Sequence, residues 1–254
     1  MERKIQRAED LEDRELAAYV MEMFHRLMVH HTLWFREVEH QLGFSRAADV
    51  MEEAWDKIRP IAVARFAEVL GFSAVDGFPA ALFALPREKK IALADAIAKN
   101  WLAQDGVWFQ AVEKRYGMND AKRCNDSTWS RFSPLEARAV KRFLRLAERP
   151  GLPGLAQALP FRMYGRLNRQ STSFQDGALL FRMEDCRVQS ARARRGLADY
   201  PCKSAGLVEY ARFAEGIDPR IRTECLGCPP DAHPAAWFCA WRFTLGEEER
   251  EAPR

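Results

Sequence analysis

Three of the chain's six cysteines lie in one proline-rich segment, TECLGCPPDAHPAAWFCAW (residues 223–241). Two residues separate Cys225 from Cys228, a spacing that lets both sulfurs reach one metal ion. Cys239 follows on a predicted strand, where a hairpin would return it beside this pair. Cys202 stands at a predicted helix start, which favours a thiolate. The spacing predicts a four-sulfur metal site, and separate buried thiols are the alternative.

An all-sulfur site suits zinc and also admits a [4Fe–4S] cluster. Four thiolates leave a zinc ion no open coordination position, and closed sites of this kind are typically structural. Zinc in a structural role is therefore the predicted cofactor. An iron–sulfur protein that uses the same cysteines is the alternative.

Four other residues near this segment could take part in chemistry. Cys186 ends a predicted strand, and the neighbouring Arg187 can lower a thiol pKa and so raise its reactivity. A fifth or exchangeable metal ligand and a buried core thiol are the alternatives for Cys186. Asp231 and His233 lie in the proline-rich loop, where they could support a metal-bound water or orient a ligand group. No phosphate-binding, dinucleotide-binding or serine-hydrolase motif names a reaction, so the sequence leaves open whether the protein is an enzyme.

Length and composition limit the class of protein. The chain has 254 residues, of which 48% are hydrophobic, and a formal net charge of +3. Because acidic and basic residues alternate along it, the charge disfavours nucleic-acid binding. No apolar run approaches the roughly 18 residues that a membrane span needs. We therefore expect a cytoplasmic protein, in which cysteines stay reduced and serve as ligands, nucleophiles or core residues.

Helical periodicity dominates the first 150 residues, and a repeat runs through them. With a shift of 74 residues, from Trp34 to Trp108, the pattern WF-x2-VE-x3-G-x3-A-x7-W-x4-P occurs twice, over about residues 24–66 and 98–140. We predict a duplicated helical hairpin with Trp34, Trp55, Trp108 and Trp129 buried between the copies. The duplicated half could serve as a lid, a dimerisation surface or a second domain.

The pattern changes after the breaker-rich stretch ERPGLPGLAQALP (148–160). Strands on both sides of QDG predict a hairpin. One short helix is predicted after Cys186, and a second helix is predicted to begin near Cys202. Two final strands carry the last cysteines. The sequence thus predicts an α+β protein. A helical domain without strands spans residues 1–150, an exposed linker follows, and an α/β sheet domain completes residues 151–254.

The segment DYPCKSAGLVEYARFAEGIDPRIRTECLGCPPDAHPAAWFCAWRF (199–243) resembles the end of the 4-vinyl reductase domain, a small-molecule-binding module of bacterial phenol-sensing regulators. In that family a Cys after a Pro begins a helix, a strand ends in an acidic ligand and a Cys, and another Cys opens the last strand. The resemblance implies a metal held by Cys202, Cys225, Cys228 and Cys239, with Cys225 in place of the acidic ligand. It also implies a small organic ligand.

A second resemblance covers a longer stretch. The predicted hairpin, the segments EDCRVQSARARRGL and YPC, and the terminal cysteines are together similar to the bacterial 2-amino-thiazoline-4-carboxylic acid hydrolase family. It implies ring-opening hydrolysis of a small cyclic amidine-like substrate. Residues near the reacting bond would then be drawn from Cys186, Arg187, Asp231 and His233.

The leading hypothesis is a protein in which a metal staples a small-molecule-binding α/β domain, with a homodimer as a further option. Its pocket would lie between the sheet and the helices, where aromatic and apolar side chains are predicted to meet. The residues predicted to line it are Phe181, Met183, Tyr210, Phe213 and Trp237.

Overall fold

The first part of the chain consists mainly of two long helices that a single glycine separates. In the computed structural model, which describes residues 5–196 and 198–246, these are α1 (Asp13–Leu42) and α2 (Phe44–Leu70). Gly43 between them has a φ of +86°, a backbone conformation that residues with a side chain rarely adopt. The helices therefore turn back on each other within one residue.

A small β-hairpin follows these helices. Its strands, β1 (Ala74–Val75) and β2 (Phe78–Pro79), are antiparallel, and α3 (Ala80–Ala84) comes directly after them. Asp76 and Gly77 in the turn both have positive φ, as a tight two-residue turn requires. The prediction that residues 1–150 contain no strand is therefore wrong, because an Asp-Gly turn closes a hairpin of two-residue strands there.

A second pair of long helices repeats the first. These are α4 (Arg87–Tyr116) and α5 (Met118–Leu144), and Gly117 between them has a φ of +88°. Their first residues lie 74 positions after those of α1 and α2, from 13 to 87 and from 44 to 118, and their last residues keep the same shift. Pro60 and Pro134 also occupy equivalent positions inside α2 and α5. The repeated letters of the sequence thus correspond to repeated helices.

The paired tryptophans differ in their surroundings. Trp129 is 4% exposed, but Trp34, Trp55 and Trp108 are 62%, 50% and 68% exposed. The prediction that all four are buried is wrong for these three. Trp129 is buried because Trp101 and Tyr164 cover its ring, at centroid distances of 5.7 and 5.5 Å.

The stretch predicted to be an exposed linker belongs to the core instead. Residues Gly151–Ala158 form α6, and Leu152, Leu155 and Ala158 are buried. Two short 3₁₀ turns, Leu159–Phe161 and Met163–Arg166, lead from α6 to the sheet. The glycines and prolines that suggested a linker shape a short apolar helix, so they do not mark a domain boundary.

A four-stranded antiparallel sheet ends the described chain. β3 (Arg169–Gln175) and β4 (Ala178–Asp185) form the predicted hairpin, with Asp176 and Gly177 at positive φ in the turn. Two further helices follow, α7 (Arg187–Ala193) and α8 (Lys203–Ile217), and then β5 (Ile221–Gly227) and β6 (Cys239–Leu245). The strand order is β3-β4-β6-β5. The architecture is α+β, with helices and small antiparallel sheets, as predicted.

Contacts divide the chain into the units Met1–Leu85 and Pro86–Arg254, whereas the sequence suggested a boundary near residue 150. The second hairpin belongs with the sheet because α5 packs along α8. An added Cβ at Gly216 would lie 2.7 Å from the Cβ of Ala137, and Lys141 Nζ donates to the carbonyl of Ile217 at 3.0 Å. Within residues 5–196 and 198–246, no helix combines the length and apolarity needed to cross a bilayer.

The buried carboxylate of Asp218 joins α6 to the end of α8. It accepts hydrogen bonds from the backbone N–H of Gly151 at 2.9 Å and from the guanidinium of Arg220 at 2.8 and 3.0 Å. The bonds to Arg220 lead the causes that lower the Asp218 pKa to about 2, against an ordinary 3.8. A carboxyl whose pKa is lower in the folded state stabilises the fold above its unfolded pKa.

We therefore expect the free energy of unfolding to fall as the pH drops from about 4 to about 2. Asp218→Asn should lower stability at pH 7 by roughly 1–2 kcal/mol and should flatten this acid limb, because the variant has no carboxyl to protonate. Urea unfolding at pH 7, 4 and 3 measures both effects. A variant that keeps the full acid limb would contradict this role of Asp218.

Candidate functional site

A cavity of about 430 Å³ lies in the second unit, among α4, α5, α7, α8 and the ends of β4 and β6. Aromatic rings form much of its wall. Phe109 and Tyr200 meet edge to face at 5.5 Å, and Trp129 stacks on Tyr164 at 5.5 Å with the ring planes 12° apart. The cavity has the size and the aromatic character of a site for a small organic molecule.

Polar side chains interrupt this aromatic wall. Asp105 and Glu113 project from α4, and Arg192 comes from α7. Asn125 Nδ2 donates to Asp105 at 3.4 Å, and burial raises the pKa of the Asp105 carboxyl. Polar groups of this kind give an apolar pocket its specificity because they fix a ligand's orientation.

A buried ion network supports one side of the cavity. Glu209 lines the cavity from α8, and Arg162 behind it donates to Glu209 at 2.6 Å and to Glu136 at 2.9 Å. All three side chains are buried, and Glu136 also accepts the backbone N–H of Met163 at 2.7 Å. Arg162 further lies over the Tyr210 ring, 5.1 Å from its centroid. The network fixes the positions of α5, α8 and the turn that carries Arg162.

Burial and charge act in opposite directions on the pKa values of this network. Burial raises the pKa of Glu209 to about 6, although Arg162 acts to lower it. Burial would lower the pKa of Arg162, but the two carboxylates raise it above its ordinary value. Arg162 therefore stays charged, and the pKa of Glu209, at about 6, lies above its ordinary value.

The structure brings together three of the four cysteines that the sequence assigned to a metal. Cys202 precedes α8, Cys228 follows β5, and Cys239 begins β6, and all three line the cavity. The sulfurs of Cys202 and Cys228 are 3.6 Å apart, and Cys202 and Cys239 both act to raise the pKa of the Cys228 thiol. The bond from Cys228 lowers the pKa of Cys202, so Cys202 is the favoured thiolate of this pair.

Cys225 stands apart from this group. It lies on β5 opposite Trp241 and is half-buried at the edge of the core, and it does not line the cavity. Burial raises its pKa, while the nearby Lys203 acts to lower it. Lys203 is the first residue of α8, so Cys225 lies near the start of the helix that Cys202 precedes.

The cysteines meet part of the requirement for a metal site. Two sulfurs bound to one tetrahedral zinc at about 2.3 Å are about 3.7 Å apart, close to the separation of Cys202 and Cys228. Among the residues that the structure describes, however, no group of three or more His, Cys, Asp or Glu side chains is arranged to hold a metal ion. The sulfur pair fits a metal, and the full ligand set is not formed.

Cys186 lines the cavity and differs from a reactive thiol. Burial raises its pKa to about 12, so the sulfur is protonated at neutral pH. The adjacent Arg187 donates its backbone N–H to Asn168 at 2.9 Å. Because a thiolate is the nucleophilic form, this environment favours a core thiol over a nucleophile at Cys186.

Asp231 and His233 do not line the cavity. Lys203 donates to Asp231 at 2.8 Å, and His233 Nε2 lies 3.0 Å from a carboxylate oxygen of Asp199. The bond to Asp199 raises the pKa of His233. These contacts tie the proline-rich loop to α8 and to the segment before Cys202.

Only some of the residues predicted to line the pocket do so. Met183 and Tyr210 line the cavity, whereas Phe181 and Phe213 are buried in the core behind it. Trp237 packs against Gly227, outside the lining. No local sequence pattern predicts a role for Asp105, Glu209 or Arg162. Their partners lie 20 to 47 residues away along the chain, so no spacing marks them.

Comparison with known proteins yields a family without an assigned function. The model of a family of unknown function (DUF6125) matches residues 9–88 and 83–245. The two matches meet near the division between Leu85 and Pro86. No curated protein and no solved structure matches the chain.

Proposed function

The chain belongs to DUF6125, a family of unknown function, and we propose that it is a small-molecule-binding protein whose ligand occupies the cavity of the second unit. The observation that carries the proposal is the cavity itself. Its volume of about 430 Å³ falls within the range of ligand sites, and its wall combines aromatic faces with a few carboxylates.

A single aromatic ring with a polar substituent fits this lining best. The Phe109–Tyr200 and Trp129–Tyr164 pairs supply ring faces and edges for stacking. Asp105, Glu113 and Arg192 supply charged partners for a substituent. The network of Arg162 with its two carboxylates holds this side of the cavity in place without the ligand.

A metal is the second part of the proposal. A structural ion, zinc first and a [4Fe–4S] cluster as the alternative, would join Cys202, Cys228 and Cys239 with Cys225 as the fourth ligand. The 3.6 Å separation of the Cys202 and Cys228 sulfurs and the presence of Cys239 in the same cavity lining support it. A closed four-thiolate ion would fasten the start of α8 to β5 and β6. The ligand-binding chemistry would then belong to the other residues of the cavity.

The hydrolase alternative receives less support from the same cavity. Of the residues it would draw on, only Cys186 lines the cavity, and its thiol is held in the protonated form. Asp231 and His233 are engaged with Lys203 and Asp199. A binding function needs no nucleophile, so it agrees better with these contacts.

Gly106 offers a direct test of ligand binding. It lies inside α4 and lines the cavity, and an added Cβ would meet no atom within 4 Å. Gly106→Leu should occupy part of the cavity and weaken ligand binding at least tenfold. Gly106→Ala is the matched control: it adds one methyl group, should keep binding, and should stabilise the helix by about 0.5–1 kcal/mol.

The probes are phenol, benzylamine and benzoate, which place a hydroxyl, a cation and an anion on the same ring. Calorimetric titration gives their affinities, and native mass spectrometry detects any ligand that copurifies. The proposal fails if no probe binds and nothing copurifies. It also fails if a bound probe is unaffected by Gly106→Leu, because that probe then occupies another site.

A further inference from the structure

The first helix carries an exposed apolar stripe. Its members recur at alternating intervals of four and three residues, and the one polar residue in this series is His30. Such spacing is typical of a helix face that packs against other helices. Each is between 39% and 65% exposed. We call this set the α1 stripe: Leu16, Val20, Met23, Leu27 and Trp34.

The second helix carries a matching set. Its members follow one another at three- or four-residue multiples and therefore share one helix face. Phe24 of α1 contacts Phe66 of α2, at a ring distance of 5.6 Å, and so connects the two sets. We call this set the α2 stripe: Trp55, Ile58, Phe66 and Val69.

The hairpin that bears these stripes has almost no interior. α1 contains no buried residue over its 30 positions, and only Ala47 and Ala48 are buried in α2. Helices gain most of their stability in proteins from packing an apolar face, and propensity alone sustains them poorly. Two buried alanines contribute too little packing to stabilise two long helices. We therefore expect another surface to cover the stripes.

Two of these positions are packed in the second repeat. The residue equivalent to Leu27 is Trp101, whose ring stacks on Phe132 at 5.9 Å and meets Tyr164 at 5.0 Å. The residue equivalent to Trp55 is Trp129, which is buried. Both stripes therefore contain positions that serve as packing positions in the other copy of the same hairpin.

We propose that the cover is a second copy of this chain. Two α1–α2 hairpins would pack stripe against stripe around a twofold axis and form a four-helix bundle between protomers. Such an interface is isologous, since each protomer presents the same two stripes. The result is an obligate homodimer held by the first unit, which leaves the cavity of the second unit to bind ligand.

The exposed area agrees with a stable dimer. A large apolar side chain presents roughly 150–250 Å² when free, so the two stripes expose on the order of 1,000 Å² per protomer at their observed exposures. A stable specific interface buries about 800 Å² on each partner. The stripes alone therefore reach the size of a specific dimer interface.

Charge argues against a membrane or a nucleic acid as the cover. α1 carries five acidic and three basic residues, and α2 carries five acidic and four basic residues, with histidines taken as neutral. Helices that lie on anionic bilayers are rich in Lys and Arg on their polar face. A weakly acidic hairpin is repelled by anionic bilayers and by nucleic acids. The uncharged apolar stripes can instead pack against the same stripes of a second copy.

Leu27→Glu in the full chain tests the interface. Leu27 lies in the middle of the α1 stripe and is 65% exposed within the protomer, so the change should not disturb the hairpin itself. Multi-angle light scattering should give wild type about twice the chain mass of 29.2 kDa. The variant should shift toward monomer, with a dimer dissociation constant at least a hundredfold higher, because each interface would bury two carboxylates.

Leu33→Glu is the matched control, with the same change in the same helix at 55% exposure but outside the stripe. It should remain dimeric, and circular dichroism should show unchanged helix content in both variants. Three results overturn the proposal: a monomeric wild type, a Leu27→Glu variant that stays dimeric, or equal dissociation by both variants. A monomer that binds anionic phospholipid vesicles would assign the stripes to a membrane surface instead.

Discussion

Replacing Arg162 with methionine should destabilise the second unit by about 3–5 kcal/mol. The side chain is buried, and its removal would leave the carboxylates of Glu136 and Glu209 in the interior without a cation. Buried charges of this kind are costly because the low-dielectric interior does not replace their hydration. Chemical unfolding of the variant and the wild type measures the difference.

The loss should depend on pH in a defined direction. The pKa of Glu209 is already raised to about 6 by burial, and removing Arg162 takes away the charge that lowers it. A carboxyl whose folded pKa is raised stabilises the fold at low pH, and that stability is lost as pH rises through the folded pKa. Arg162→Met should therefore be less destabilising at pH 5 than at pH 8.

Two companion variants separate the buried charges from general damage. Adding Glu136→Gln and Glu209→Gln to Arg162→Met removes both orphaned carboxylates and should recover part of the lost stability. Arg166→Met breaks the exposed pair with Asp95 and should change stability by less than about 1 kcal/mol. If Arg162→Met is no worse than Arg166→Met, the network does not support the cavity as we describe.

Local patterns in the sequence predict the elements of this fold well. The Asp176-Gly177 turn identifies the β3–β4 hairpin because two residues with positive φ are needed there. The 74-residue repeat predicts the helix pairs because the same spacing of apolar residues, glycine and proline recurs. The strand positions of Cys225 and Cys239 follow from the final hairpin in the same way.

Contacts between distant segments are what the sequence leaves undetermined. Arg162 meets Glu209 across 47 residues, and neither residue carries a local signal for a buried ion pair. The burial of Trp129 depends on Tyr164 from a later turn, whereas among residues 5–85 the equivalent Trp55 has no such stacked ring. The glycines and prolines before Leu159 suggested a linker, but these residues form a short buried helix. Composition alone does not show whether such a segment packs into the core.

The proposed metal should contribute strongly to the stability of the second unit. Cys228→Ser should abolish metal binding and lower the melting temperature by on the order of 10 °C, because a metal that binds only the folded chain contributes its binding energy to stability. Cys228 is buried, lies 3.6 Å from Cys202 and lines the same cavity as Cys239, so its loss should open the site most completely. Elemental analysis of protein purified without oxygen measures the metal, and calorimetry measures the melting temperature.

Cys124→Ser is the matched control, since Cys124 is an exposed thiol on α5, and it should change neither quantity.

Two further variants identify the fourth ligand. Loss of metal in Cys225→Ser but not in Cys186→Ser supports the predicted set, whereas the reverse assigns the cavity thiol Cys186 to the metal. About one zinc per chain is expected, and a brown protein that contains iron would favour the cluster. If the wild type carries no metal, or has a disulfide between Cys202 and Cys228, the close approach of their sulfurs has another cause and the metal proposal is wrong.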